Sequence, residues 1–265
     1  MKLSFRSAGS AAWPVLLVKT PVDRADRPAI AQKLQSIREL GAKEIFFLTP
    51  PQGKGVVRVE TLTGTVSGTA LLLGGLDFAV GRGIRRDKKL PIESCGCDTP
   101  CTVQINPLAG HASADLPLPL WLESRLFLSE AEKTPMVCLP GLVCVLLSVE
   151  ALPEETILSP ALETLAREND VNSAAALLWN FRAGSLSVVR WQAGDEGLTA
   201  LPCGVAAAGA AAAWSARHGT DGHHRLTIHQ PGGDLDTDAV VKRGQLQRLT
   251  VSGPVSLGAE YVVEF

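Results

Sequence analysis

A cysteine placed directly before a glycine and a run of alanines is the feature of this chain best suited to proton transfer. Cys203 and Gly204 precede residues 206–213, whose small side chains predict a helix. Unpaired N–H groups and the helix dipole stabilise anions at such a helix start, and they lower the pKa of a thiol there. The backbone amides of Gly204 and Val205 could hold a substrate carboxylate in the same way. Since free cysteines are often buried and inert, a structural Cys203 is the alternative.

A second helix of similar type is predicted in the first half of the chain. Residues 68–80 are apolar almost all round, which is typical of a helix enclosed by sheet, and the segment opens at Ser67 and Gly68. The elements of the two halves follow a similar order, so the chain contains a weak internal repeat. Two such halves predict a cleft in which both helix starts point at one ligand.

The rest of the pattern alternates short strands with a few helices. Hydrophobic spacing predicts a helix from Pro28 to Leu40 and another from Pro160 to Arg167. Strands are predicted at residues 15–18, 44–48, 56–62, 102–105, 137–139, 143–149, 174–180 and 186–191, with three short ones at the end of the chain. A proline-rich stretch, Leu116–Trp121, is the predicted domain boundary.

Charge and hydropathy exclude several classes of partner. The 265 residues carry a formal net charge of −2, which gives no electrostatic footprint for nucleic acid or an anionic membrane surface. No apolar run is long enough to span a bilayer, and the apolar segment 15–18 is too short for a signal peptide. We therefore expect a cytoplasmic protein with reduced thiols, and a homodimer is left open.

Two clusters of potential metal ligands have poor spacing for a metal site. Cys95, Cys97 and Cys101 depart from paired C-x₂-C knuckles, although His111 could supply a fourth ligand. We prefer to interpret the cysteine segment as a β-turn between two strands. The histidines between residues 223 and 229 are interpreted as part of a polar loop. No metal or cofactor is predicted.

Several segments of the second half resemble diaminopimelate epimerase. Residues 201–211 resemble the second cysteine motif of that family, A-C-G-T-G-A-C-A. Downstream, residues 230–235 (Q-P-G-G-D-L) and 252–255 (S-G-P-V) are similar to its P-G-G-x-L and T-G-P-A segments. Asp170–Asn172 resembles its substrate-contacting asparagine segment. The resemblance is looser over residues 1–118.

The resemblance implies an α+β fold with two pseudo-symmetric lobes, each a mainly antiparallel sheet wrapped around a central helix. It divides the chain into lobes of residues 1–118 and 119–265, with the last strand able to return to the first lobe. It also implies cofactor-independent epimerisation at an amino-acid α-carbon by two opposed thiols. Such a reaction needs a base and an acid on opposite faces of a planar carbanion, and thiols suit both roles.

Departures from the family's motifs set the expected substrate apart from diaminopimelate. Ser67 stands where the family has its first thiol, and a serine hydroxyl is a far poorer base than a thiolate. Residues 10–13 (S-A-A-W) replace the family's G-N-D-F, which removes a substrate-binding asparagine. Gln192 and Ala193 replace the E-R pair that the family uses for the distal end of diaminopimelate. We therefore reject diaminopimelate as the substrate.

A second resemblance is to the phenazine-biosynthesis isomerase group. Residues 38–50 (R-E-L-G-A-K-E-I-F-F-L-T-P) are similar to its R-E-L-x-x-S-E-T-x-F-x-x-P segment, and residues 65–70 loosely resemble its T-V-G-T-A. In that group a single glutamate, matching Glu44 here, shuttles the proton. A cleft position would suit Glu44 for this role, and a solvent-facing position at the entry of a strand is the alternative.

Together these features predict an isomerase, an amino-acid racemase or epimerase that works without pyridoxal phosphate on a small amino-acid-like substrate. Cys203 is assigned as one acid–base group, with Ser67 or Glu44 serving the opposite face. The predicted substrate contacts are Gly68, Thr69, Asn172, Gly204 and Val205. Two alternatives stay open: a phenazine-type isomerase with a single glutamate, and a binding protein that kept the fold but lost catalysis.

Overall fold

The computed structural model describes residues 2–10, 13–129, 132–148, 153–180, 185–193, 197–200, 220–230 and 233–264. The chain divides into two compact units: unit 1 holds residues 1–115 and 252–265, and unit 2 holds residues 116–251. The fold is mostly β-sheet. No helix in the described ranges combines the length and apolar character needed to cross a membrane.

Unit 1 is a closed sheet around a buried helix. Its helices are α1 (Arg27–Ser36) and α2 (Gly68–Gly81). Its strands are β1 (Lys2–Ser10), β2 (Trp13–Val18), β3 (Glu44–Thr49), β4 (Val57–Glu60), β5 (Lys88–Ser94), β6 (Cys101–Asn106), β7 (His111–Leu116) and the later part of β16 (Gln245–Glu264). They pair in that order, and β16 also pairs with β1, which closes the sheet. The β2–β3 and β4–β5 pairs are parallel.

Helix α2 lies inside this sheet because nearly every side chain on it is apolar. It packs against β1, β4, β5 and β6, and all its residues except Phe78, Val80 and Gly81 are buried. Gly74 is required for the close approach, since a Cβ there would lie 2.2 Å from Val59 Cγ1. The predicted helix over residues 68–80 is confirmed.

Helix α1 covers the other face of strands β1 to β3. Ile30, Ala31 and Leu34 pack there with alternate residues of those strands, such as Phe5 and Phe47. The predicted helix from Pro28 to Leu40 was too long. Ile37 is extended, with φ −78° and ψ 95°, so α1 ends at Ser36 and a separate 3-10 turn covers Arg38–Leu40.

Unit 2 contains a second mixed sheet and helix α3 (Glu155–Glu168). Its strands are β8 (Trp121–Leu126), β9 (Lys133–Leu139), β10 (Leu142–Ser148), β11 (Ser173–Asn180), β12 (Ser185–Gln192), β13 (Thr199–Ala200), β14 (Gly222–Gln230), β15 (Gly233–Lys242) and the first part of β16. They pair in the order β8-β9-β10-β11-β12-β14-β15-β16, and β13 pairs with β12. Helix α3 begins five residues before the predicted Pro160, because Leu158 packs into the core one turn ahead of Leu162.

The same succession of pairings occurs in each unit. In unit 1, β1–β2 is antiparallel, β2–β3 parallel, β3–β4 antiparallel, β4–β5 parallel and β5–β6 antiparallel. In unit 2, the series β9–β10, β10–β11, β11–β12, β12–β14 and β14–β15 follows the same rule. Helix α1 joins the first parallel pair of unit 1, and α3 joins that of unit 2. This agrees with the internal repeat that the sequence indicates.

The histidine segment was wrongly interpreted as a loop. His223, His224 and His229 lie in β14, which forms a hairpin with β15. Two of them have partners on the facing strand: His223 Nδ1 lies 3.2 Å from Asp238 Oδ1, and His229 Nδ1 lies 2.8 Å from Asp234 Oδ1. Opposite polar pairs of this kind stabilise a solvent-facing hairpin.

Candidate functional site

Strand register in unit 1 brings two predicted site residues to one edge of the sheet. Strand β3 runs antiparallel to β4, with Phe47 opposite Glu60, the last residue of β4. Glu44 starts β3 three residues before Phe47, so it lies beyond the end of β4. The chain leaves β4 at that same edge and enters α2 seven residues later, at Ser67 and Gly68. The start of α2 and Glu44 therefore share this edge.

Ser67 is the N-cap of α2. Its backbone is extended, with φ −130° and ψ 121°, and its Oγ accepts a hydrogen bond from the Ala70 N–H at 3.3 Å. Gly68 and Thr69 form the buried first turn, where helix N–H groups lack carbonyl partners within the helix. Because the cap fixes the Ser67 side chain at the positive end of a buried helix, this hydroxyl is well placed to meet an anionic group.

A thiol holds the loop between β4 and α2 in place. The Cys95 thiol donates to the Thr65 carbonyl at 3.2 Å, and its sulfur accepts from the Thr61 N–H at 3.4 Å. Within the loop, the Thr61 hydroxyl donates to the same Thr65 carbonyl at 2.9 Å. These bonds position Thr65, two residues before Ser67. Sequence reasoning took Cys95 as a small turn residue and missed this support.

Three arginines surround one buried carboxylate beside the same loop. Glu60, 4% exposed, accepts hydrogen bonds from Arg58 Nε at 2.9 Å, from Arg24 Nη2 at 3.4 Å and from Arg27 Nη1. Burial opposes ionisation, but the hydrogen bonds from Arg58 and Arg27 outweigh it and hold the pKa of Glu60 below its usual value. The guanidinium groups exceed the Glu60 charge, so this cluster favours anions.

Glu93, at the end of β5, is the second buried carboxylate of this region. Its oxygens accept from the N–H groups of Gln52 and Gly53 at 2.7 Å and of Gly55 at 2.9 Å. The backbone hydrogen bonds of Gln52 and Gly55 are the main reason why the pKa of Glu93 is lowered. Glu93 thereby fixes the loop that follows β3, a role that no local sequence pattern indicated.

A polar cavity opens beside the arginines. It has a volume of about 320 Å³ and includes Arg24, Arg27, Arg58, Thr61 and Cys95 in its lining. A neighbouring cavity of about 580 Å³ shares Arg24 and Arg27. Guanidinium groups and threonine hydroxyls in such walls suit an anionic ligand. No three His, Cys, Asp or Glu side chains in the described part of the chain are grouped to hold a metal ion.

The other predicted site residues lie in unit 2 or outside the described residues. Asn172 is exposed in unit 2, in the turn before β11, where its carbonyl accepts from the Ala193 N–H at 3.0 Å. Cys203, Gly204 and Val205 lie outside the described residues and stay predictions. The structure thus places Ser67, Gly68, Thr69 and Glu44 at one edge of the unit 1 sheet, and their relation to Cys203 stays a prediction.

The family of the chain follows from a match along almost its whole length. Residues 10–263 match the family described as the histidine racemase CntK N-terminal domain. The chain belongs to this family. It is accordingly an amino-acid racemase or epimerase, an isomerase that works without pyridoxal phosphate, as the sequence predicted. The specific assignment to diaminopimelate epimerase gives way to this family, while the broader assignment to an amino-acid racemase or epimerase holds.

Several solved structures have the same fold as this chain. A protein described as a predicted epimerase from Pseudomonas aeruginosa has a TM-score of 0.70 and 15% identity, with 99% of each chain covered. A hydroxyproline epimerase from Agrobacterium vitis has a TM-score of 0.67 and 10% identity, with 99% of this chain and 91% of that one covered. A PhzF-family phenazine biosynthesis protein from Bacillus anthracis has a TM-score of 0.65 and 13% identity over both full chains. Among proteins with curated descriptions, none matches the sequence significantly.

Proposed function

We propose that the protein interconverts the two enantiomers of histidine, or of an α-amino acid close to it. Membership of a family described as a histidine racemase supports this choice of substrate. The single structural observation that carries the proposal is Ser67, held at the start of a buried helix at the same edge as Glu44. In this proposal the family's fold comprises two pseudo-symmetric lobes, near residues 1–118 and 119–265, with the end of the last strand belonging to the first lobe.

Inversion at the α-carbon needs two proton carriers. One removes the α-proton from one face, and the other returns a proton to the opposite face of the planar carbanion. We assign Cys203 as the carrier on one face, because a thiol before a glycine-opened helix has a pKa suited to both roles. We assign Ser67 to the other face, where the helix start stabilises the negative charge that develops on its oxygen.

Glu44 is the other candidate for the second carrier. A carboxylate is a much stronger base than a serine hydroxyl at neutral pH, and register places Glu44 at the same edge as Ser67. In either case we expect the substrate carboxylate to bind backbone amides at Gly68 and Thr69 and, as the sequence predicts, at Gly204 and Val205. Asn172 is retained as a predicted polar contact.

Exchange of the α-proton in D₂O tests this assignment. With L-histidine, the wild type should form D-histidine that carries deuterium at the α-carbon, because the second carrier donates a solvent-derived proton. Cys203→Ala should stop both exchange and inversion. Ser67→Ala and Glu44→Gln then identify the second carrier, since only the true carrier is needed for inversion. Cys144→Ala, which removes a fully buried thiol of unit 2, is the matched control and should keep activity.

A failure of exchange with L-histidine and with a panel of other amino acids would contradict the proposal. If exchange requires Glu44 and proceeds unchanged in Cys203→Ala, the alternative is correct: isomerisation by a single glutamate. The edge position of Glu44 is the observation that favours this second function. A one-carrier enzyme would label its substrate without inverting it, so the two mechanisms are separable by the configuration of the labelled product.

A further inference from the structure

Two thiols in unit 1 lie close enough to react with each other. The turn between β5 and β6 carries Cys97, and Cys101 begins β6. Their sulfur atoms are 3.8 Å apart, with the Cys101 thiol donating to the Cys97 sulfur. Cys97 is half-buried between exposed neighbours, whereas Cys101 is buried. This geometry presents one accessible sulfur and one sheltered sulfur that supports it.

We propose that Cys97 and Cys101 form an oxidisable dithiol that a hydroperoxide converts into an intramolecular disulfide. The Cys97 thiolate attacks the peroxide, takes one oxygen as sulfenic acid and releases water from hydrogen peroxide. The Cys101 sulfur then attacks the Cys97 sulfur, the S–S bond forms, and the hydroxyl leaves as a second water. The two thiols lose two electrons and two protons in total, and the peroxide is reduced.

Electrostatics give the two sulfurs different roles. The hydrogen bond from Cys101 lowers the pKa of Cys97, and the positive charge of Arg58 adds to this effect. Burial and the charge of Asp98 act in the opposite direction but do not prevail. The hydrogen bond with Cys97, followed by burial, raises the pKa of Cys101. Cys97 is therefore the attacking thiolate, and Cys101 reacts only after Cys97 is oxidised.

The turn can accommodate the disulfide. An S–S bond is about 2 Å long, so the sulfurs must approach each other by about 2 Å. Residues 98–100, which connect them, lie in a bend outside the strands and can absorb this movement. Cys95 is a poor competitor, because it is 3% exposed and its thiol already donates to the Thr65 carbonyl.

Peptide mapping after oxidation tests the proposal. The full-length protein is treated with hydrogen peroxide, denatured and alkylated without reduction. Cleavage before Asp98 separates Cys97 from Cys101, so a disulfide appears as two linked peptides that dithiothreitol releases. Tandem mass spectrometry and Cys95→Ser identify the partner. A bond that joins Cys101 to Cys95, or the absence of any bond while Cys97 becomes sulfinic acid, would overturn the proposal.

Two substitutions at Cys101 separate its two roles. Cys101→Ser keeps a hydrogen-bond donor but cannot form the bond, so dimedone should trap sulfenic acid on Cys97. Cys101→Ala also removes the donor and should slow oxidation of Cys97 several-fold, because the pKa of Cys97 rises and less of it is thiolate. Cys138→Ala, which removes a buried thiol of unit 2, should leave the rate unchanged. If Cys97 in Cys101→Ala reacts as fast as in the wild type, Cys101 does not activate it. These readouts are covalent and independent of racemase activity.

Discussion

Units 1 and 2 share a succession of strand pairings but hold their elements together by different means. Among the described residues, the buried charged side chains are Arg27, Glu60, Asp77 and Glu93, and all four belong to unit 1. In unit 2, the described buried polar side chains are Ser173 and Thr237, and α3 packs by apolar contacts alone along its buried face. One topology therefore accommodates buried charged side chains in unit 1 and an apolar contact along α3 in unit 2.

The buried charged side chains of unit 1 and the apolar packing of unit 2 do different work in the two units. In unit 1 the carboxylate of Glu60 ties α1 to β4 through Arg27, and that of Glu93 fixes the loop between β3 and β4. Burial of an ion pair costs desolvation energy. Removal of one partner also destabilises the protein strongly, because the other charge is left buried without a counter-charge, so such pairs hold one arrangement. In unit 2 the described core around α3 has only to exclude water. Three pairs of substitutions and one pH series test this contrast between the units.

The largest effect is expected from Glu60→Gln. It leaves the buried Arg27 guanidinium without its counter-charge, which should lower the free energy of unfolding by about 4 kcal/mol. Urea unfolding at neutral pH measures this loss. Glu39→Gln, an exposed carboxylate in the same unit, is the control and should change stability by less than about 0.5 kcal/mol. A loss below about 1 kcal/mol for Glu60→Gln would mean that the charge cluster contributes little to unit 1.

A cavity in unit 2 should lower the free energy of unfolding slightly less than Glu60→Gln does. Leu162, fully buried on α3, packs against β10 and β11, and Leu162→Ala should lower the free energy of unfolding by about 3 kcal/mol. Ile157 lies on the exposed side of the same helix, so Ile157→Ala should have almost no effect. Equal losses for the two variants in urea would show that α3 is not fixed by its apolar face.

A methyl group added inside unit 1 should lower the free energy of unfolding by about 2 kcal/mol. The added methyl group in Gly74→Ala meets the stiff Val59 side chain and forces α2 or β4 to shift. Gly81→Ala at the end of the same helix meets nothing within 4 Å and should be neutral or slightly stabilising. Thermal unfolding of the two variants separates steric cost from helix propensity. If both behave alike, the enclosure of α2 is looser than the structure shows.

The smallest effect is expected on the stability of the protein at acidic pH. The pKa values of Glu60 and Glu93 are lowered in the folded protein from an ordinary 4.5, so the unfolded chain binds more protons in acid. Their stabilisation is complete above about pH 4.5 and is lost as the pH falls through the lower folded values. Glu93→Gln should flatten the dependence of stability on pH in that range and move the acid midpoint by less than about one unit. Hydrogen exchange should report the loss first in unit 1, and earlier loss in unit 2 would reverse the comparison.

The sequence predicted those helix starts, strand starts and turns that depend on neighbouring residues. The N-cap at Ser67, the start of β3 at Glu44 and the turn that holds Cys95 to Pro100 all follow from neighbouring residue types. Strands β1, β5, β7, β8 and β13 escaped prediction, because they are very short or because small, charged and polar residues interrupt their apolar alternation. Their places in the sheets depend on partners that are distant along the chain.

The supports of the candidate site could not be predicted for the same reason. Glu60 meets Arg27 only because α1 packs on the sheet, and Glu93 meets the loop after β3 only because β4 and β5 are parallel. Cys97 and Cys101 carry a recognisable spacing, but only the fold of the turn brings their sulfurs together. Sequence spacing restricts which side chains can meet, and register decides which of them do.

Strand β16 has a consequence for the order in which the molecule is completed. Lys2 pairs with Glu264 and Ser10 with Val255, so β1 waits for a partner strand that is synthesised much later. Until then both β1 and β7 expose an unpaired edge on the ribosome, which invites wrong pairings. Helix α2 can be enclosed only when this late segment arrives, so the region with Ser67 should be the last part of the enzyme to mature.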